Sequence, residues 1–326
     1  MHALPEFTLR RPASLAEAAA LLAAEPAARL VAGGTDLLPN LRRGLEQPPV
    51  LVDLSGLQQL ATIEVGRDSG LLLGAGLTLA ELGRNRTLAE RWPALAEAAR
   101  QVAAPGHRTA ATLGGNLCQD TRCVFYNQSE WWRAANGYCL KRGGDTCHVA
   151  PQGDRCHAAF ASDLAPVLLA LGAEVELHSA TGSRWIPLPA LYRDDSAAHL
   201  ALARGELLTR VRLPAGRPGQ RCGYRKARVR SAVDFPLAAV AVSCVLEDGR
   251  LASLAIGLSG TNSFPVLLAG TGTLAGRPVD GDLLAAVGKL VQQQASPMRS
   301  TVTPSHYRRQ VAAATAQRLL RELALG

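Results

Sequence analysis

Residues 29–44 read Arg-Leu-Val-Ala-Gly-Gly-Thr-Asp-Leu-Leu-Pro-Asn-Leu-Arg-Arg-Gly. A short apolar run ends in a glycine pair and a helix-forming stretch follows, so strand, tight turn and helix are expected in that order. Upstream, SLAEAAALLAA (14–24) opens with Ser14 as a helix N-cap and has Glu17 three residues on, and its apolar spacing is helical. Downstream, VLVDLS (50–55) and LLLGAGLTL (71–79) read as strands, while LAELGRN (79–85) and LAERWPALAEAARQVA (88–103) read as helices. SDLAPVLLALGAEVELHS (162–179) is a helix feeding a strand. The character then changes to alternating segments, LLTRVRLP (207–214), CGYRKARV (222–229) and FPLAAVAVSCVLEDGRLASLAIGLSG (235–260), with Glu247-Asp248-Gly249 predicting a hairpin turn. Two helical stretches, 281–294 and 305–323, follow. The pattern predicts an α/β ligand-binding part over 1–205 and an α+β domain over 206–326, with 188–203 as the joint.

Composition narrows the function. With 326 residues, 48% of them hydrophobic, the chain is long enough to bury a large core. The net charge of +8 comes from scattered arginines with no basic arm, so no nucleic-acid partner is expected. Arginines do crowd between Arg204 and Arg230, which suits either a phosphate-bearing or acidic partner or a solvated strand face. Glu17 and Glu25 interrupt the alanine-rich start, which is therefore not read as a signal peptide. No apolar run is long enough to span a bilayer, and a cytoplasmic chain without membrane contact is expected.

Two glycine turns are candidates for anion binding. Glycine tolerates positive φ and lets successive amides approach a phosphate. Gly33-Gly34-Thr35 forms one such turn; Gly114-Gly115-Asn116, preceded by Thr112, forms the second. Neither G-x-G-x-x-G nor G-x-x-x-x-G-K-[ST] occurs, which argues against a Rossmann site and a P-loop. Two separated anion-binding loops suit a long dinucleotide held between subdomains. No general acid, base or nucleophile is nominated.

The strings VAGGTDLLPNLRRG, LLLGAGLTLAEL, ATLGGNL, ASDLAPVLLALGAEVEL, GELLTRVRLP and GYRKARVRSAVDFPLAAVAV, continuing to SHYRRQVAAA, are colinear over almost the whole chain. In that order they resemble the FAD-binding medium subunit of the molybdenum hydroxylases, the xanthine dehydrogenase and carbon monoxide dehydrogenase family. The resemblance implies an α+β protein: a two-subdomain FAD-binding fold of the vanillyl-alcohol-oxidase type, then a C-terminal α+β domain of the CO dehydrogenase flavoprotein type. It implies that Val31, Ala32, Gly33, Gly34, Thr35 and Asp36 surround the FAD pyrophosphate. Thr112, Gly114, Gly115 and Asn116 would form the second FAD loop. Asp163 would lie near the ribityl or ribose region, and Leu208 and Lys226 would line the flavin ring. Read without the family, Asp163 is a helix N-terminal acid, Leu208 a core residue and Lys226 a solvated strand residue.

About forty residues separate the second glycine loop from the SDLAP helix, and this stretch, 118–160, holds five of the seven cysteines. Cys123, Cys139, Cys147 and Cys156 are 16, 8 and 9 positions apart. That spacing is neither a zinc knuckle nor a compact ferredoxin run, although it leaves a cluster, zinc and disulfides chemically open. His148 and His157 each follow a cysteine and are read as solvated. Phe125, Tyr126, Trp131 and Trp132 are expected to give the loop its own small core. The insertion resembles the one that sets apart the 4-hydroxybenzoyl-CoA reductase branch of the family, where it holds a 4Fe-4S cluster. By that resemblance Cys123, Cys139, Cys147 and Cys156 are its ligands and Cys118 is spare. Ferredoxin would then deliver electrons that pass through the cluster and FAD to 2Fe-2S clusters on a small subunit. They would end at the molybdenum cofactor of a molybdopterin-binding large subunit, in a dimer of heterotrimers. The alternative is a xanthine, aldehyde or CO dehydrogenase-like flavin subunit with NAD or quinone as acceptor.

Overall fold

A computed structural model describes residues 3–66, 68, 70–298 and 303–325. The chain opens with β1 (Thr8–Arg10), α1 (Leu15–Ala24), β2 (Arg29–Val31), α2 (Leu37–Arg42) and β3 (Val50–Asp53). The three strands form a parallel sheet in the order β1-β3-β2. Ser14 caps α1 as expected, its hydroxyl accepting from the Glu17 amide at 3.1 Å, while Glu17 accepts from the Ala13 amide at 2.7 Å. Ala18 and Ala19 of α1 pack with Val50, Val52 and Leu207, so the alanine-rich face is narrow because it lies flat on a sheet.

A second unit contains β4 (Ile63–Val65), β5 (Leu71–Gly74), α3 (Leu79–Arg84), α4 (Arg86–Arg91), α5 (Pro93–Gln101), α6 (Pro105–Arg108) and α7 (Leu113–Leu117). The cysteine-bearing insertion follows, largely irregular, with one short helix, α8 (Glu130–Ala135). Then come α9 (Leu164–Ala170), β6 (Glu174–Ser179), β7 (Gly182–Pro187) and β8 (Leu207–Leu213). The sheet order is β4-β5-β8-β6-β7 and every pairing is antiparallel. Because β8 is hydrogen-bonded between β5 and β6, the change of sheet lies between Leu213 and Gln220, beyond the expected break at 205.

The third unit is a four-stranded antiparallel sheet, β12-β11-β10-β9, built from β9 (Gln220–Ala227), β10 (Ala238–Glu247), β11 (Arg250–Ser259) and β12 (Val266–Leu267). Two helices, α10 (Gly281–Gln294) and α11 (Ser305–Leu325), cover it. The hairpin read at 247–249 is present: Asp248 and Gly249 have φ of 48° and 73°, the left-handed pair that a two-residue turn between twisted strands requires. Helix α9 is buried along its whole length and packs against the third sheet and against α5 and α7. A side chain at Gly257 of β11 would meet the Pro166 carbonyl at 2.1 Å, so the third sheet touches the backbone of α9 directly. Among the described residues no helix is long and apolar enough to cross a membrane.

Candidate functional site

The first glycine loop leaves β2 and turns into α2. A Cβ at Gly33 would lie 1.8 Å from the Ala110 carbonyl oxygen, so this loop rests on the backbone that leads to the second one. Gly34 has φ of 67°, which disfavours any side chain. No acceptor among the described residues takes the amides of Gly33, Gly34 or Thr35. Consecutive amides without a protein partner suit an anionic ligand.

The second loop is built differently. Its amides are used internally: Leu113 donates to the Leu77 carbonyl at 2.8 Å, Gly114 to Ala75 at 2.8 Å, and Asn116 to Thr112 at 2.9 Å. The Thr112 hydroxyl accepts from Gly115 at 3.1 Å and so caps α7. Asn116 Oδ1 accepts from the Ser162 hydroxyl at 2.6 Å and the Leu164 amide at 3.3 Å, tying this loop to the start of α9. Where the sequence suggests two equivalent anion-binding loops, the structure leaves free donors on the first and spends those of the second on holding neighbouring elements together.

Asp163 and Lys226 meet. The Lys226 ammonium, 1% exposed, donates to Asp163 Oδ2 at 3.0 Å and to the Gln101 carbonyl at 3.3 Å. The Tyr224 hydroxyl donates to Asp163 Oδ1. Lys226 is therefore not a solvated strand residue, and Asp163 does not cap α9 with its side chain. Burial pushes the Asp163 carboxyl up, against the pull of Lys226 and Tyr224. Leu208 lies in the apolar core at the register break between β8 and β6.

Between Arg122 and Ala159 two backbone hydrogen bonds of 2.8 Å close the base of the insertion. Arg133 and Arg142 donate to the Gly44 carbonyl at 3.3 and 3.4 Å, docking it on the first unit. On the other side the Cys156 amide donates to Asp195 at 3.1 Å, and His199 contacts the Gln119 carbonyl at 2.9 Å. Burial pushes His199 down to about 4, which keeps it neutral near pH 7.

Within this frame Cys123, Cys139, Cys147 and Cys156 line one cavity together with Phe125, Tyr126, Leu140, Lys141, His148 and Ala158. Four thiols spread over 34 residues of chain thus face a common space. No three His, Cys, Asp or Glu side chains among the described residues converge as ligands of a single ion. Burial pushes the Cys156 thiol up to about 12 and also raises Cys123, so metal binding here would displace protons. Cys118 does not line the cavity; it packs against the main core and burial raises its thiol to about 12.

Two expectations about the insertion change. His148 is not solvated: it lines the cavity, stacks on Phe125 at 5.2 Å and contacts the Tyr138 carbonyl at 2.5 Å. Trp131 is 79% exposed and takes no part in the small core, which holds Leu45, Tyr126, Phe125 and Met298 beside Cys123 and Cys156. The residues that sequence reasoning missed, Asp120, Arg122 and Lys141, are charged and connect to Asp36, a residue it did name. Asp36 accepts from Arg122 and, at 2.9 Å, from the Asp120 amide. Asn40 bridges Arg122 and Asp120 at 3.0 and 3.3 Å, and Asp120 accepts from Lys141. The local signal was an Asp-Thr-Arg triplet directly before Cys123.

Residues 5–216 match the family model of the FAD binding domain in molybdopterin dehydrogenase, and residues 223–323 match that of the CO dehydrogenase flavoprotein C-terminal domain. The chain is 33% identical to the aldehyde oxidoreductase FAD-binding subunit of Escherichia coli K12, over 77% of this chain and 80% of that one. It is 29% identical to the carbon monoxide dehydrogenase medium chain of Afipia carboxidovorans, over 94% and 92%. Among solved structures, a chain of the cyanide-inactivated Cu,Mo-CO dehydrogenase superposes with a TM-score of 0.81 at 27% identity, covering 99% of each. The two matched domains together take in nearly the whole chain, and it belongs to the family of FAD-binding medium subunits of xanthine dehydrogenase- and CO dehydrogenase-type molybdenum hydroxylases.

Proposed function

We propose that this FAD-binding subunit also holds a 4Fe-4S cluster on Cys123, Cys139, Cys147 and Cys156. It would serve a molybdenum enzyme that reductively removes the ring hydroxyl of 4-hydroxybenzoyl-CoA. The observation that carries this reading is the shared cavity of four thiols drawn from one insertion. Soft, anionic thiolates suit iron–sulfur chemistry. A single zinc ion would need four donors within about 2.3 Å of one point. The four thiols line one cavity, and four thiolates are the donor set that a 4Fe-4S core takes.

When bound, FAD and such a cluster supply electron storage and one-electron exchange; the chain's own residues hold and shield them. The free amides of Gly33, Gly34 and Thr35 would take the FAD pyrophosphate, with Val31, Ala32 and Asp36 shaping the loop. Thr112, Gly114, Gly115 and Asn116 would form the second wall, and Asp163, Leu208 and Lys226 the region around the ribityl chain and ring. Phe125, Tyr126 and His148 would limit water at the cluster, a lever on its potential. The partners would be a molybdopterin-binding large subunit, a 2Fe-2S small subunit and, as electron donor, a ferredoxin, in a dimer of heterotrimers in the cytoplasm.

A second reading follows from the relatives, which are subunits of aldehyde and carbon monoxide enzymes. Under it the chain serves an oxidative molybdenum hydroxylase with NAD or quinone as acceptor, and the insertion is structural. Assay of the purified complex separates the two. Reduction of 4-hydroxybenzoyl-CoA with a low-potential donor supports the first reading; oxidation of purines or aldehydes without any thioester reduction sinks it.

A further inference from the structure

Four charges of alternating sign run from the thiol cavity to the first glycine loop: Lys141, Asp120, Arg122 and Asp36. The Lys141 ammonium is paired with Asp120 and lies 2.5 Å from the Thr121 hydroxyl and 4.4 Å from the centre of the Tyr126 ring. Its side chain is 8% exposed and that of Asp120 15%. Asn40 holds Asp120 to Arg122, and Arg122 is paired with Asp36. Lys141 is also a lining residue of the cavity, and the only lysine or arginine among the described residues that line it.

This position has an electrostatic consequence. A core held by four thiolates is anionic, and reduction adds one more negative charge. A buried cation beside it stabilises the reduced form more than the oxidised one, and the low local dielectric keeps that difference from being screened. Cluster potentials respond to nearby net charge and to solvent access. Of this ion pair Lys141 lines the cavity and its compensating anion, Asp120, does not, so the cation is the member of the pair that borders the thiols. The cost of burying Lys141 is met by a carboxylate, a hydroxyl and an aromatic face, an arrangement that holds the charge in one place.

We propose that Lys141, held in place by Asp120, is the fixed positive charge that sets the redox potential of the iron–sulfur core in the cysteine cavity. The inference rests on the cluster reading above. Lys141 is a tuning residue: it takes no part in bond making, and its removal acts through the charge around the core.

The test is a redox titration of the anaerobically purified protein, followed by the paramagnetic signal of the reduced cluster, in wild type and in Lys141→Met, Lys141→Arg and Asp120→Asn. The midpoint potential is expected to fall in Lys141→Met, to stay near wild type in Lys141→Arg, and to rise in Asp120→Asn, where the ammonium loses its counter-charge. Unmoved potentials in both Lys141→Met and Asp120→Asn, or shifts of the same sign, overturn the proposal. If Lys141→Met assembles no cluster, the direction of the Asp120→Asn shift decides. Wild-type protein without acid-labile sulfide overturns the cluster reading and this inference together; a normal cluster with unmoved potentials overturns this inference alone.

Discussion

Cys123, Cys147 and Cys156 are buried, while Cys139 is half-buried, so the four thiols do not enclose the cavity evenly. Their side chains are nevertheless separable from the two glycine loops, whose contacts run through Ala75, Leu77, Ala110 and Ser162 instead. Replacing Cys139 or Cys147 by Ser is expected to abolish the paramagnetic signal of the reduced cluster and leave the flavin content unchanged. A signal that survives both substitutions would mean the ligands are assigned wrongly. His199 gives a second prediction at this scale. Its folded-state value of about 4 lies below the unfolded 6.5, so below pH 6.5 the unfolded chain binds the extra proton. The stabilisation is complete above pH 6.5 and is lost as pH falls towards 4. By pH 5 the loss is about 2 kcal/mol. Denaturant unfolding at pH 7 and pH 5 should show that His199→Gln, which keeps a donor for the Gln119 carbonyl, loses less stability over that interval than wild type; an equal loss would show that His199 titrates normally.

At the scale of elements, the insertion behaves as a closed module. Its base is pinned by the paired backbones of Arg122 and Ala159, which approach closely enough to be joined by a short turn. Replacing residues 124–157 with a short Gly/Ser turn is therefore expected to give a folded chain that retains FAD and binds no iron. Loss of FAD would show that the insertion is part of the flavin site. The junction between the second and third units rests on β9 and α9, through Lys226, Tyr224 and Asp163. Removing one partner of a buried ion pair costs about 3–5 kcal/mol, because the other charge is left uncompensated. Lys226→Met should therefore lower unfolding stability by roughly that amount, and a change within experimental error would mean that Asp163 is already neutral. The sequence announced both elements through their apolar patterns but not this pairing, because positions 61 residues or more apart meet only after the third sheet has packed on α9.

Across the whole molecule, what the sequence made legible was local. The Ser14 cap, the Asp248-Gly249 turn and the strand–glycine–helix opening each depend on a few neighbouring residues, and each is present. The C-terminal sheet and its covering helices followed from period-two and helical spacing. What stayed hidden depends on distant chain segments. The sheet membership of β8 is decided by β5 and β6 on either side of it, and no signal within LLTRVRL reports that. The polar chain from Asp36 to Lys141 joins residues 105 positions apart, and the different hydrogen-bonding states of the two glycine loops depend on Ala75, Leu77 and Ser162. The cysteine spacing told that the insertion was chemical without telling which chemistry. The cavity adds that the four thiols face one space. Iron and acid-labile sulfide analysis of the anaerobically purified chain, with zinc measured on the same sample, tests this most directly. The account predicts about four iron and four sulfide per chain, as a 4Fe-4S core requires, with little zinc. Zinc without sulfide, or neither metal, would contradict it.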